Sequence, residues 1–400
     1  MQTELADFIR DTAEGREAEA ILRKCVHCGF CTATCPTYQV LGDDLDSPRG
    51  RIYLIKRVLE GAPVTGKTRL HLDRCLTCRA CETTCPSGVQ YGHLVDIGRA
   101  VVEARTRRPV LDRLRRAAIT FGLRRRRLFG AALGMARALG LQPKARPAPA
   151  WPRARHARKM LALGGCVQPS LAPSINATAA RVLDRLGVSL IEVPGAACCG
   201  ALRFHMNYQD GGRDDVRALI DAWWPAIERG EIEAIVMTAS GCGVHVKEFG
   251  HLLSQDPNYA EKAARISALT KDLSEVIDPG ALRGKDNGAV AFQSPCTLQH
   301  GQQIRGKVER LLQSVGYKLT PVDDAHLCCG SAGTYSILHA PIANELRSRK
   351  LEALQAGGPK WIATANVGCL SHLQGAAATP VRHWIELIDL AVEDRTATAA

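Results

Sequence analysis

Apolar and polar positions follow two different periods along this chain of 400 residues. From about residue 158 onward, short apolar runs alternate with helical patterns. KMLALGGC reads as a buried strand leading to Cys166, NATAARVLDRLG has one apolar face at helical spacing, and VSLIEV is again strand-like. GAVAFQSPC, GKVERLLQSVG and YKLTPV repeat that order, and IEAIVMTASGC and WIATANVGC are apolar runs ending in a glycine-cysteine turn. The pattern predicts two tandem βα units of like construction, with cysteines at the carboxyl ends of strands, the edge where ligands bind in open α/β sheets. Upstream, VLDRLRRAAITFGLRRRRLFGAALGMARAL reads as helix with apolar residues set among arginines.

The longest apolar candidate for a membrane span, Leu128 to Leu141, is too short and carries Arg137. The N-terminal MQTELADFIRDTAEGREAEAILRK mixes both charge signs without an apolar h-region, so no signal peptide is expected. The length implies two or three domains, and 46% hydrophobic with 23% charged residues is ordinary for a globular chain. The charge is not evenly spread. Residues 104–160 hold fifteen Arg, two Lys and the single acid Asp112, so all the excess of the net +12 lies there. That segment reads as a solvated linker, a docking element for an acidic partner, or one for an anionic membrane. Nucleic-acid binding is not expected, because neither a helix-turn-helix pattern nor aromatic stacking residues accompany the charge.

The sixteen cysteines carry the chemistry. Cys25, Cys28, Cys31 and Cys35 precede Pro36; fifty residues later Cys75, Cys78, Cys81 and Cys85 precede Pro86. This doubled run is the bacterial-ferredoxin signature for cubane [4Fe–4S] clusters, in which the fourth cysteine of each run serves the other cluster. The expected ligand sets are therefore Cys25, Cys28, Cys31 and Cys85 for cluster one, and Cys75, Cys78, Cys81 and Cys35 for cluster two. The fourth cysteine is expected to open a helix leading away, with the proline fixing the exit. Gly29 is expected where the backbone approaches a sulfide. Zinc, the competing reading of Cys-x2-Cys pairs, has no use for the third and fourth cysteines. Structural disulfides fit neither the spacing nor a chain able to bury a core.

A second repeat follows. Cys166 precedes Cys198-Cys199-Gly200 and Cys242, and Cys296 precedes Cys328-Cys329-Gly330 and Cys369, with 31 residues between the first cysteine and the pair in both. These sets are candidate sites for an additional cluster or for redox chemistry; inert packing is the alternative. His205, His245, His300, His326 and His372 lie near cysteines in sequence and are expected to be structural. Trp223 and Trp224 are expected in a core or a subunit interface. Arg49 and Arg51 either salt-bridge the fold or raise the potential of a nearby cluster.

The Cys-x31-Cys-Cys-Gly…Cys halves resemble the cysteine-rich domains of heterodisulfide reductases. Across the chain, KCVHCGFCTATCPTY, SPRGRIYLIK, HLDRCLTCRACETTCPSG, RVLDRLG, DAWWPAIE, TASGCGVHVKE, HLCCGSAGTYS and VRHWIE resemble the iron–sulfur subunits of bacterial glycolate oxidases. The resemblance implies an α+β and α/β multidomain chain: a helical two-[4Fe–4S] ferredoxin domain (1–103), a basic amphipathic linker (104–157), and cysteine-rich domains at 158–285 and 286–400. It implies an electron-transfer subunit of glycolate dehydrogenase. Its partners would be a flavin-carrying subunit, which alone holds FAD and oxidises glycolate to glyoxylate, and a related third subunit. Electrons would pass towards a quinone-type acceptor, and the location would be cytoplasmic, at the cytoplasmic face of the inner membrane. No catalytic residue is expected here: GxGxxG is absent, and Gly241-Cys242-Gly243 alone is weak. Lactate or glycerol-3-phosphate dehydrogenase subunits, and a disulfide or thiol reductase at the cysteine-rich domains, are the alternatives. One departure bears on the last. Ala239 and Asn366 stand three residues before Cys242 and Cys369, where heterodisulfide reductase carries a fifth cysteine.

Overall fold

In the computed structural model, residues 1–396 are described. The first hundred residues are helical. Helices α1 (Ala13–Lys24), α2 (Pro36–Leu41), α3 (Pro48–Leu59), α4 (Ala80–Thr84) and α5 (Tyr91–Arg105) surround the two cysteine runs. Side-chain caps start two of them: Thr12 accepts from Gly15 N–H, and Ser47 from Gly50 N–H. Ile21, Leu22, Ile55, Leu59, Leu94 and Val95 form the apolar core between α1, α3 and α5. Gly98 lets α5 cross closely over α3, since a Cβ there would lie 2.6 Å from Ile55 Cγ1.

The basic segment folds as helices α6 (Val110–Arg124) and α7 (Arg126–Ala138), joined at Arg125. An extended stretch follows, fixed where Trp151 Nε1 donates to the Leu190 carbonyl at 3.0 Å.

Each remaining half is an open parallel sheet with helices between strands. The first runs β1 (Arg158–Ala162), α8 (Ser174–Arg185), β2 (Val188–Glu192), α9 (Gln209–Glu228), β3 (Ala234–Met237), α10 (Ser240–Lys247) and β4 (Thr270–Asp272). The second runs β5 (Gly288–Gln293), α11 (Lys307–Ser314), β6 (Tyr317–Leu319), α12 (Ala340–Gln355), β7 (Trp361–Thr364), α13 (Val367–Gln374), β8 (Val381–His383) and α14 (Trp384–Thr396). Strand orders are β2-β1-β3-β4 and β6-β5-β7-β8, all pairs parallel, with Leu161 opposite Ile235 and Ala291 opposite Ile362. The two halves share one continuous apolar core, running from Met160 and Val236 to Ile362 and Trp384.

Three expectations are corrected. The glycine-cysteine pairs after β3 and β7 are not turns: they lie in the first turns of α10 and α13. Each sheet gains a short fourth strand, β4 and β8, that apolar patterning alone does not mark, because only three residues pair. Finally, Cys35 precedes a helix as expected, but Cys85 closes the short α4 and Pro86 opens a turn.

Candidate metal centres

The two N-terminal runs share a backbone. Between the first and second cysteines, His27 and Thr77 are left-handed (φ 58° and 50°), and after the second so are Gly29 and Arg79 (φ 89° and 60°). These pairs sit fifty residues apart, like the cysteines. Alternating left- and right-handed residues curl a loop so that its side chains and N–H groups face one hollow. Gly29 also lies close to a neighbour: a Cβ there would meet an Arg49 guanidinium nitrogen at 3.1 Å.

Two hollows result. One, of about 450 Å³, is lined by Cys25, Cys28, Cys31 and Cys85, with Ile52, Val89 and Tyr91. The other, of about 300 Å³, is lined by Cys35, Cys75, Cys78 and Cys81. The fourth cysteine of each run thus faces the hollow of the other run, and Cys81 borders both. Burial raises the thiol pKa of Cys78 and Cys81 well above its ordinary value. They stay protonated unless a cation takes the proton's place. Four sulfur donors around an apolar hollow fit an iron–sulfur cluster, a soft ion's donor set.

Arg51, fully buried, salt-bridges the fold and also lies beside a cysteine of the second hollow. It pairs with Asp46 at 3.2 Å, donates to the His71 carbonyl at 2.7 Å and to Thr37 Oγ1 at 3.1 Å, and comes within 4.0 Å of Cys35 Sγ. Arg49 instead pairs with Asp44 at 2.9 Å at the rim of the first hollow. Tyr91 Oη donates to Cys75 Sγ at 3.5 Å.

In each cysteine-rich half, the segments after the first three strands, the third of them the first turn of a helix, bring four cysteines together beside the point where the strand order reverses. In the first, the thiols of Cys166 and Cys198, of Cys198 and Cys199, and of Cys199 and Cys242 lie close enough to perturb one another's ionisation. Cys198 accepts from the Gly200 N–H at 3.5 Å, and the adjoining thiols of Cys166 and Cys199 lower its pKa while theirs rise. In the second, Cys296 and Cys328 sulfurs lie 3.5 Å apart, and the thiols of Cys328 and Cys369 perturb that of Cys329. The glycine after each pair is left-handed (φ 88° at Gly200, 87° at Gly330), and both their N–H groups point back at the first sulfur of the pair.

The second set abuts the ferredoxin domain. Cys78 and Leu76 pack with Cys296, Cys328 and Tyr335 in one apolar cluster. Tyr335 Oη donates to the Arg74 carbonyl at 3.1 Å, and Thr83 Oγ1 meets His300 Nδ1 at 3.0 Å. Two residues that sequence reasoning missed sit here. Lys350 is buried with its ammonium on the Asp324 carbonyl, and burial lowers its pKa despite the nearby Cys329, Cys328 and Cys296. Asn366 donates to Cys369. Lys350 has no signal in sequence; Asn366 is visible only as the place of a missing cysteine. Of the histidines, His300 and His372 bond backbone carbonyls, and His205 and His245 both lie edge-on or tilted to Phe204, His245 buried and His205 exposed. Trp223 is core, whereas Trp224 is partly buried under Lys262.

A helical domain with two four-cysteine hollows, followed by two four-cysteine α/β halves, defines an iron–sulfur protein of the dicluster type. Residues 21–89 match the 4Fe-4S dicluster domain, and 161–247 and 290–374 each match the cysteine-rich domain. The glycolate oxidase iron-sulfur subunit of Escherichia coli K12 is 51% identical, over 98% of this chain and all of that protein. The chain belongs to the family of glycolate oxidase iron–sulfur subunits. A probable glycolate oxidase iron-sulfur subunit of Bacillus subtilis is 29% identical over 92% of the chain and 91% of its own length. Lactate utilization protein A of Geobacillus thermodenitrificans is 28% identical over 49% of the chain and 81% of its own. A hypothetical protein from Helicobacter pylori shares the fold alone, with TM-score 0.54 and 9% identity over 95% of this chain and 72% of that one. Among the described residues, no helix is long and apolar enough to cross a membrane.

Proposed function

We propose that this chain is the electron-carrying subunit of a glycolate dehydrogenase. It would accept electrons from a flavin subunit that oxidises glycolate to glyoxylate and deliver them towards a quinone-type acceptor at the cytoplasmic face of the membrane. The observation that carries the reading is the exchange of fourth cysteines between the two hollows, in a chain alike over its full length to a glycolate oxidase iron-sulfur subunit. Cys25, Cys28, Cys31 and Cys85 would hold one [4Fe–4S] cluster, and Cys35, Cys75, Cys78 and Cys81 the other. Bound there, the clusters supply one-electron carriage, which no side chain of this protein offers at moderate potential.

The chain's own residues do the rest. Leu76, Ile52 and Val89 give the sulfurs apolar neighbours, and the Tyr91 hydroxyl and Arg51 guanidinium place positive charge density beside Cys75 and Cys35. The packing of Cys78 against Cys296 and Cys328 supports extending the route into the second cysteine-rich half, as a further cluster or redox site. Substrate chemistry would belong to the flavin subunit; a third, related subunit would complete the complex.

The test is iron and acid-labile sulfide per chain in protein purified without oxygen. About eight irons, four per cluster, would restrict metal to the ferredoxin domain. A value near twelve or sixteen would add the cysteine-rich halves. Zinc in place of iron would overturn the reading.

A further inference from the structure

The basic hairpin of α6 and α7 is amphipathic the wrong way round for a helix packed on a core. On α6 the inward face is polar. Arg116 and Thr120 are buried and Asp112 is half-buried beside them; Arg116 bonds Asp112 at 3.2 Å and reaches Asp73 at 3.4 Å. Arg108, just before the helix, locks the same cluster through Asp73 and Glu103. The outward face is apolar: Val110, Leu114 and Phe121 recur at helical spacing, with Leu111 and Ala118 alongside. On α7 only Leu133 is buried, while Leu128, Met135 and then Leu139 and Leu141 point to solvent. These eight large apolar side chains are 51 to 78% exposed. A surface stripe of this kind marks an interaction site rather than ordinary scatter.

The charge around the stripe decides its occupant. Arg113, Arg126 and Arg127 form no ion pair among the described residues, and Arg125 lies over the Phe121 ring, 3.4 Å from its centroid. The segment carries only one acid, and Asp112 faces inward. The hairpin is fastened to the body by its own arginines: Arg124 pairs with Asp215, and Arg137 donates to the Leu171 carbonyl at 3.2 Å. Apolar side chains that enter an acyl boundary, ringed by unpaired guanidinium groups at headgroup level, complement an anionic lipid surface.

We propose that the outward face of α6 and α7 docks the protein on anionic phospholipid, lying in the bilayer interface without spanning it. This deepens the membrane-directed end of the function proposed above. Lipid binding is measured without turnover, so either reading can fail without the other.

The experiment uses the full chain with its clusters, floated with vesicles of phosphatidylcholine alone or of phosphatidylcholine with phosphatidylglycerol. Binding to the anionic vesicles only, weakening as salt rises, is expected. Each of Arg113→Gln, Arg126→Gln and Arg127→Gln should weaken it about fivefold, the equivalent of ~1 kcal/mol per basic residue near such a surface. Leu114→Ser with Phe121→Ser should abolish it while leaving iron content and the unfolding midpoint unchanged, since both side chains face solvent. Equal binding to both vesicle types, or binding untouched by the substitutions, would overturn the proposal. So would absence of vesicle binding together with loss of co-purification with the other subunits by the stripe variants. That result would make the face a subunit interface.

Discussion

Asn366 joins Cys369 to the other half of the molecule: its Nδ2 donates to the Cys369 sulfur at 3.5 Å while its Oδ1 accepts from the Gly241 N–H at 3.3 Å. Gly241 adjoins Cys242, so one amide spans the space between the two cysteine-rich sets. The helices α10 and α13 that carry these last cysteines start back to back. Ser240 N–H donates to the Ala365 carbonyl at 3.1 Å, and Ser240 Oγ meets Thr297 Oγ1 at 2.8 Å. The place that holds a fifth cysteine in heterodisulfide reductase here holds a hydrogen-bond bridge.

A donor aimed at a ligand sulfur stabilises the electron-rich state of whatever that sulfur binds. Asn366→Leu keeps the volume and removes the donor. The midpoint potential of the redox centre proposed for the second half should fall by roughly 40 mV, the one-electron equivalent of ~1 kcal/mol for a lost hydrogen bond. Redox titration followed by electron paramagnetic resonance should show that signal shifted and the two ferredoxin signals in place. Equal shifts in all signals would point to a general structural effect instead.

Arg51 and Asp46 form an ion pair with side chains 1% and 0% exposed. Arg74 at 2.9 Å and His71 at 3.2 Å also face Asp46. Removing Arg51 leaves the fully buried carboxylate with Arg74 as its one remaining arginine, a loss bounded by the about 3–5 kcal/mol of a broken buried pair. Arg51→Leu should therefore lower the denaturant midpoint of the cluster-loaded protein strongly. Arg51→Leu with Asp46→Leu should recover part of the loss, and a double variant as weak as the single one would contradict this account.

The glycine of Cys-Cys-Gly is demanded twice over, by its left-handed φ and by space. At Gly330 a Cβ would fall 2.5 Å from the Ala343 carbonyl oxygen and 3.0 Å from Leu346 Cβ. Gly333 is also left-handed (φ 62°) but has nothing within 4 Å of such a Cβ. Gly333→Ala should lose only the conformational term, about 1–2 kcal/mol. Gly330→Ala should lose clearly more, because backbone must move. Urea unfolding of the two variants side by side decides it.

Legibility in the sequence followed repetition. The doubled cysteine run fixed its own local geometry, because ligand spacing and the left-handed positions His27, Thr77, Gly29 and Arg79 recur together, and only Gly29 among them reveals its backbone by residue type. The βα halves were legible because β1, β2, β3, β5 and β7 are largely apolar runs in a parallel sheet, with β6 placed by its repeat position. What the sequence did not show depends on contacts between distant segments. Three-residue edge strands carry too little pattern; Lys350 has no periodic mark; and the meeting of Cys78 with Cys296 arises from docking across more than two hundred residues of chain. The inverted polarity of α6 was half visible. Arginines interleaved with apolar residues announced an amphipathic helix, but which face turns inward follows from Asp73, far upstream.

Docking of the ferredoxin domain on the first cysteine-rich half should depend on pH through His93. This ring stacks on His251 with centroids 4.0 Å apart and planes 8° from parallel. Its Nδ1 meets Glu17 Oε1 at 2.9 Å and its Nε2 lies 3.6 Å from Glu248 Oε1. Glu248 is also gripped by Arg79 through both nitrogens, and half-buried Asp96 lies nearby. Burial works against the charged imidazole, yet the two carboxylates prevail and raise His93 from the ordinary 6.5 to about 9. Glu248 and Glu17 are lowered in turn; for Glu248 burial opposes the shift, and for Glu17 the His93 hydrogen bond leads it. His251 is lowered, by burial first and then by the charge on His93. The folded state therefore holds a proton on His93 that the unfolded chain releases near 6.5. Its contribution, on the order of 1–2 kcal/mol after screening, is complete below that pH and disappears as pH rises through about 9. The carboxylates' share is present above about 4.5 and is lost as pH falls below it. His93→Gln keeps a planar side chain and removes the titration. The gap in unfolding midpoint between the parent and this variant should be widest near pH 6.5 and should close above pH 9. A gap that stays constant across that range would mean that His93 acts through packing on His251 alone.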